Sequence, residues 1–371
     1  MPRLRFTGYT DEWKNVKIAD IATIVGGGTP DTTISEYWDG DIQWFTPSEI
    51  GKSKYIAKSD RTITKEGLNN SSAKILPKGT ILLSTRATIG ECSIADKECC
   101  TNQGFQSIIV KNNTTNEFQY YLIQTKKKDL IRNACGSTFL EISANEVRKI
   151  RCNIPNIEEQ RKIADFLSLL DKRIETHNKI IEDLKKLKVA ITNWLIKSIP
   201  DCSEIKYLEK IADIYQPQTI PTSALNDEAD YFVYGANGII GKYNKYNHEL
   251  SQICITCRGN TCGNINFSVP KSWITGNAMV VNTDEYTHIV NKRYLYHYLS
   301  TINFTPLISG SGQPQIVRQP LAKLKIPIPK LEHQNNIIEV IDTFEYRIEI
   351  ENKYLQSLLS QKAYLLSNLF I

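Results

Sequence analysis

The chain has 371 residues, enough for two or three domains with ordinary cores. Its 41% hydrophobic and 23% charged residues are a soluble globular balance and exclude bulk disorder. A net charge of +5, from 45 Lys+Arg against 40 Asp+Glu, permits a polyanionic partner without demanding one. The opening residues, MPRLRFTGYT, hold no apolar stretch of signal-peptide length. No run reaches the roughly 18 apolar residues of a membrane span. A cytoplasmic protein is therefore expected, with its nine scattered cysteines mostly free thiols.

In chain order, Lys17-Ile18-Ala19-Asp20-Ile21 comes first, and Gly26-Gly27-Gly28-Thr29-Pro30 follows as a loop. Gly51-Lys52-Ser53 looks like the end of a phosphate loop, but Thr46 stands where the first glycine is required. Residues 81–85 and 106–110 read as strands, and 118–127 as a short helix. Lys126-Lys127-Lys128 at its end reads as a solvated helix terminus. A strand-like run at 150–154 stops at Pro155. Beyond it Ile163, Leu167, Leu170, Ile174, His177, Ile181, Leu184, Lys188, Ile191 and Leu195 fall on a 4-3 spacing, the seam of a coiled coil.

The chain then repeats itself. Lys210-Ile211-Ala212-Asp213-Ile214 restates the opening motif. Strands are expected at 253–257 and 279–282, a short helix at 292–299, and a strand-like run at 324–328 before Pro329. From Ile150 to Lys197 a shift of 174 residues runs without a gap to Ile371 and gives 13 identities in 48 positions. Chance gives about 6% per position, roughly three. The seam returns as Ile337, Ile341, Phe344, Ile348, Glu351, Leu355, Leu358, Lys362, Leu365 and Leu369. Both copies carry polar residues at the same two seam positions, His177 with Glu351 and Lys188 with Lys362. Polar seam residues cost stability and fix register, and His177 with Glu351 makes a central polar pair an attractive arrangement. A helix of about 40 residues is roughly 60 Å long. Two such helices either dimerise with other molecules or pair with each other. The block between them, returning the chain, suits an antiparallel pair.

The expected fold class is α+β: two α/β domains joined by a pair of long antiparallel coiled-coil helices, with a pseudo-two-fold internal repeat. The first domain spans 12–155, the first helix 156–198, the second domain 204–329 and the second helix 330–371.

Catalytic chemistry is hard to find. No Gly-x-Gly-x-x-Gly opens a helix after a strand, and no Pro-Pro dipeptide supplies the amino-methyltransferase signature. Cys254-x-x-Cys257 with Cys262 invites zinc, but residues three apart on a strand face opposite sides. The five histidines have no ligand spacing, so no metal site and no catalytic residue is expected.

What remains is recognition of duplex DNA, which uses Lys and Arg on phosphates and polar side chains on base edges. Arg86 and Thr88 lie in Ser84-Thr85-Arg86-Ala87-Thr88-Ile89-Gly90. Arg258 and Asn260 lie in the matching Thr256-Cys257-Arg258-Gly259-Asn260-Thr261-Cys262-Gly263. An arginine in a glycine-closed loop after a strand either presents guanidinium to phosphate or guanine, or ties the loop to its own domain. Asn102 and Gln103, and Asn277, follow at corresponding places. Ser311, Gln313 and Gln315 sit in Gly310-Ser311-Gly312-Gln313-Pro314-Gln315, a polar tip whose glutamines suit adenine. Lys242 and Tyr243 mix base and ring.

This layout resembles the specificity subunit of type I restriction-modification systems. The resemblance is carried by Gly27-Gly28-Thr29-Pro30, by Tyr37-Trp38-Asp39-Gly40-Asp41-Ile42 with Trp44, by Tyr234-Gly235-Ala236-Asn237-Gly238-Ile239-Ile240-Gly241, by residues 310–316, and by the two Ile-Pro…Glu-x-Gln helix starts. It covers nearly the whole chain. It implies a non-catalytic subunit whose two target recognition domains read the halves of a split, asymmetric duplex DNA target. Its helices would act as spacer and dock the methyltransferase (modification) subunits, in two copies. S-adenosylmethionine would sit on those subunits, and ATP and Mg on a restriction/translocase subunit; this chain would carry no cofactor of its own.

Overall fold

The structure is a computed structural model that describes residues 2–370 except 87, 137–139, 200–202, 236 and 311. It divides into two compact units, Met1–Lys179 with Lys353–Ile371, and Ile180–Asn352.

In the first unit Lys14–Lys17 pairs antiparallel with Arg151–Ile154, which ties the start of the domain to its end. A five-stranded sheet runs in the order Ala22–Gly26, Gln106–Val110, Ile81–Leu83, Cys92–Ala95, Tyr55–Ile56. A three-stranded sheet places Trp38–Phe45 between Arg61–Ile63 and Cys99–Thr101. Pairing is antiparallel except between Tyr55–Ile56 and Cys92–Ala95 and between Trp38–Phe45 and Cys99–Thr101. Ile81, Leu82 and Leu83 are all fully buried, because the strand has core on both faces: Ile81 and Leu83 pack with the helices, Leu82 with Phe45 and Phe105.

The second unit repeats this plan. Glu204–Tyr207 pairs antiparallel with Lys325–Ile328. A four-stranded sheet runs Asp213–Tyr215, Ala278–Asn282, Ile253–Thr256, Ile265–Phe267. Beside it Tyr231–Gly235 lies between Gly238–Tyr243 and Trp273–Ile274, the latter pair parallel. Cys254 packs in a cluster with Tyr234 and Val280, whereas Cys257 packs with Ile253 and Ile255 on the other face. Burial pushes the thiols of Cys92, Cys99 and Cys254 up to about 12, which keeps them protonated. Among the described residues no helix is long and apolar enough to cross a membrane.

The long helices run Ile157–Lys197 and Leu331–Leu369. Asn156 starts the first: its side chain accepts the Glu159 N–H at 2.9 Å. The seam faces inward. Ile163, Leu167, Leu170, Ile181, Ile337, Ile341, Glu351, Leu355 and Leu358 are buried, and Ile174, His177, Leu184, Phe344 and Ile348 half-buried. In the first unit Ile163 and Leu167 share a core with Leu365, Leu366, Leu369 and Phe370. In the second, Ile337 and Ile341 share one with Leu195 and Ile196. The beginning of one helix meets the end of the other in each unit, which is the antiparallel arrangement.

The lysines that interrupt the seam have partners. Lys188 binds Glu345 at 2.6 Å in the second unit, and Lys362 binds Asp171 at 2.7 Å in the first. Lys362 lies 174 residues after Lys188 and Glu345 174 after Asp171, so these are one contact made twice, related by the repeat. At the other interruption each residue also has a neighbour within its own unit. The His177 ring lies 4.6 Å from the Tyr354 ring, and Glu351 is bound by Arg347 one turn earlier at 2.6 Å.

The soft motifs also acquire reasons. Trp38 and Trp44 are buried edge to face, 5.1 Å apart, with the Arg61 guanidinium 3.6 Å over Trp38. Their indole N–H groups donate to Asp31 O and Gly28 O. A Cβ at Gly28 would stand 2.4 Å from the backbone of Ser72 and Ala73, so only glycine allows the loop to pass.

Candidate nucleic-acid interface

In each unit an arginine loop, a hairpin and the turn before a sheet strand come together. In the first unit the loop after Ile81–Leu83 closes at Gly90, whose φ of 89° favours glycine. Thr85 donates through its N–H and its hydroxyl to Gly104 O, at 2.8 and 3.0 Å, which joins the loop to the turn at 102–105. Ile142 N–H donates back to Thr85 O at 3.2 Å. Residues 135 and 141 pair as a short antiparallel bridge, with two N–H···O bonds of 2.9 Å, and Glu141 bridges on to Arg86.

The second unit builds the same junction. The loop after Ile253–Thr256 closes at Gly263, φ 95°. Cys257 N–H donates to Asn277 O at 3.2 Å, and Ile316 N–H to Cys257 O at 3.1 Å. Ser309 and Gln315 exchange two bonds of 2.8 Å, Gln315 bridges to Arg258, and Gly259 N–H donates to Pro314 O at 3.0 Å. Beside it opens a cleft of about 170 Å³ lined by Gln216, Cys257, Arg258, Met279, Gln315 and Arg318.

The segments separated in sequence as Arg258-Asn260, Asn277 and Gln313-Gln315 thus converge, and all five side chains are exposed. In the first unit the candidate side chains have partners within the domain. Arg86 is ion-paired with Glu141 at 2.8 Å and does tie its loop to its own domain. Thr88 is exposed with its hydroxyl 3.0 Å from Ser84 Oγ. Asn102 spends its side-chain carbonyl on Gly104 N–H, at 2.8 Å, and Gln103 accepts from the Thr29 hydroxyl. Lys242 and Tyr243 lie elsewhere, on the edge strand Gly238–Tyr243 of the three-stranded sheet. There Lys242 covers Phe232, and Tyr243 packs on Trp273 at 5.4 Å. Lys127 binds Glu91 at 2.5 Å. Ser311 lies outside the described residues.

Residues 135–142 carry the counterpart of 309–316 and were missed from sequence. The signal was present: the shift of 174 continues upstream of Ile150, aligning Gly136 with Gly310, Ser137 with Ser311 and Ile142 with Ile316.

One other polar cluster stands out. His297, Asp342 and Glu345 converge within 4.8 Å, a spacing that suits a metal ion. The carboxylates are already occupied, Glu345 by Lys188 and Arg293 and Asp342 by Arg293. Burial holds the His297 imidazole well below its ordinary value, with Lys188 and Arg293 adding to the shift against the opposing pull of Glu345. The equivalent place in the first unit holds Tyr121, whose hydroxyl donates to Asp171 at 2.6 Å. The unfolded chain protonates His297 near its ordinary value of 6.5 while the folded one does not, so stability falls as pH drops below that value. Glu345, lowered in the fold, loses its contribution in the same acid direction. Hydrogen exchange at pH 5 is expected to show 292–300 opening more than at pH 7, and His297→Phe to flatten that difference. Equal acid sensitivity in the variant would remove His297 as the cause.

Two copies of one α+β domain, each with an arginine loop braced by a hairpin and both carried on paired long helices, define an internally duplicated recognition protein. The chain belongs to the type I restriction-modification DNA specificity family, whose domain profile matches residues 10–186 and again 200–360. It is 41% identical over 197 residues to the type I restriction enzyme MjaIX specificity subunit of Methanocaldococcus jannaschii. That match takes in 51% of this chain and 45% of that protein. It is 25% identical over 362 residues to the type I restriction enzyme EcoprrI specificity subunit of Escherichia coli, covering 91% of this chain and 88% of that one. The fold is shared with the crystal structure of a type I restriction-modification S subunit from M. genitalium, at TM-score 0.62 and 18% identity, over 100% of this chain and 99% of that one. A chain from a structural study of type I assembly and conformational transition aligns at TM-score 0.63 and 17% identity, over 97% of this chain and 98% of that one.

Proposed function

We propose that the chain reads a split, asymmetric duplex DNA target, one half with each domain, and directs modification and restriction subunits to it. The observation that carries this reading is the junction built twice: an arginine loop braced by a glycine-turned hairpin at strand ends, with different side chains in each copy. The same scaffold with different tips suits two different half-sites. Catalysis belongs to the partners: S-adenosylmethionine on two modification subunits, and ATP and Mg on a restriction/translocase subunit. The long helices support partner docking, because they hold large apolar side chains in solvent. Leu169 and Tyr364 are exposed in the first unit, Val189, Trp194 and Tyr346 in the second.

The test is methylation mapping in cells that make this chain with and without its modification subunit. The expected result is a two-part motif that is methylated only when both are present. Absence of any motif with both proteins folded and expressed would favour a coiled-coil scaffold whose domains bind protein.

A further inference from the structure

The two hairpins hold equivalent places with different electrostatics. Glu141 and Gln315 are 174 residues apart in the repeat, and each bridges through its backbone to the arginine of the adjoining loop. In the first unit the Glu141 carboxylate meets the Arg86 guanidinium at 2.8 Å, with the two side chains 36% and 44% exposed. In the second unit the same place holds a neutral amide, and Arg258, exposed, has no carboxylate partner among the described residues.

That single difference separates two ways of meeting DNA. An Arg–Glu pair has no net charge, so its attraction to phosphate is cancelled and its carboxylate repels a phosphate brought close. It still offers guanidinium N–H donors in an orientation fixed by the ion pair, beside an acceptor. Guanine O6 and N7 take arginine donors, and cytosine N4 donates to a carboxylate. A lone guanidinium keeps its full charge and its orientational freedom, which suits phosphate oxygens.

We propose that Glu141 is a specificity-determining residue of the first domain, holding Arg86 as a reader of a G·C pair, and that Gln315 leaves Arg258 to anchor the DNA backbone. This rests on the DNA-reading function proposed above. Glu141 acts partly through Arg86 and is in that respect a positioning residue.

The test uses the full chain assembled with its modification subunits, on duplexes carrying the mapped target and on duplexes with each pair of each half changed in turn, across a salt series. With Glu141→Gln, one G·C position of the first half is expected to lose its preference by about fivefold or more, with the second half unchanged. The salt dependence should steepen, by up to about one counterion. With Gln315→Glu, binding should weaken alike on every sequence, and the salt dependence should become shallower by about one counterion. Both variants are isosteric changes of exposed side chains, and a thermal melt checks that each remains folded. Unaltered base preference in Glu141→Gln, or an unaltered salt slope in Gln315→Glu, overturns the inference while the function stands. Lack of sequence-selective binding by the unsubstituted assembly overturns the function and the inference together.

Discussion

Replacing Gln160 with leucine is expected to destabilise the first unit by about 3 kcal/mol or more, from loss of partners at several buried polar groups at roughly 1–3 kcal/mol each. Gln160 is fully buried. Its Oε1 accepts from the Thr114 hydroxyl at 2.8 Å and the Thr115 N–H at 3.2 Å; its Nε2 donates to Pro155 O at 3.0 Å and Asn113 O at 3.3 Å. Thr115 is the N-cap of the short helix Asn116–Thr125, so one glutamine fastens that cap to the start of the long helix. Gln334 does the same in the second unit. It accepts from the N–H of Asn291, the N-cap of Lys292–Ser300, at 2.8 Å, and donates to Ile289 O and Pro329 O at 3.0 and 2.8 Å. Gln334→Leu should match the loss. Glutamate at either place keeps the acceptor but removes both donations, so it should rescue little. Urea unfolding of each variant measures this; a loss below about 1 kcal/mol would show that water replaces the amide at no great cost.

These glutamines explain what the repeated Ile-Pro…Glu-x-Gln pattern was for, and they mark how far sequence reaches. The repeat and the seam are legible because burial of one helix face imposes a period on apolar residues, and the strands near 81–83, 106–110 and 253–256 because they are short apolar runs. The seam lysines are legible as interruptions. Their purpose is not, because Asp171 and Glu345 lie beside the seam and resemble any charged residue on a helix face.

The candidate site was legible by half. Arg258, Asn260, Asn277, Gln313 and Gln315 were singled out by residue type and turn chemistry, and the fold brings their segments together. Arg86 was found without Glu141, because an ion pair between residues 55 positions apart leaves no local trace. The hairpin that carries Glu141 keeps from its counterpart only what the backbone demands, Gly136 at positive φ and the buried Ile142, besides Ser137. Lys242 and Tyr243, a basic-aromatic run, lie on a different sheet of the second unit, against Phe232 and Trp273.

Removing one heptad from each long helix, residues 175–181 and 349–355, is expected to shorten the preferred gap between the half-sites while leaving both half-sites unchanged. Each helix begins in one unit and ends in the other, since the division falls at 179/180 in the first and 352/353 in the second. Seven residues are about 10.5 Å of helix rise, or about three base pairs at roughly 3.4 Å each. A heptad keeps the seam in frame to within about 20°. The deletion spares the Lys188–Glu345 and Lys362–Asp171 pairs and the two capping glutamines, while it removes His177 with Glu351 and also Tyr354. Deleting the segment from one helix alone mismatches those pairs and should abolish folding, which makes the double deletion the informative variant. Methylation mapping with the altered chain reads the gap directly. A motif with both halves intact and the gap reduced by about three base pairs would make the helices the ruler of the target; an unchanged gap in a variant that still methylates would place the spacing in the domains or in the partner subunits, and would overturn the ruler.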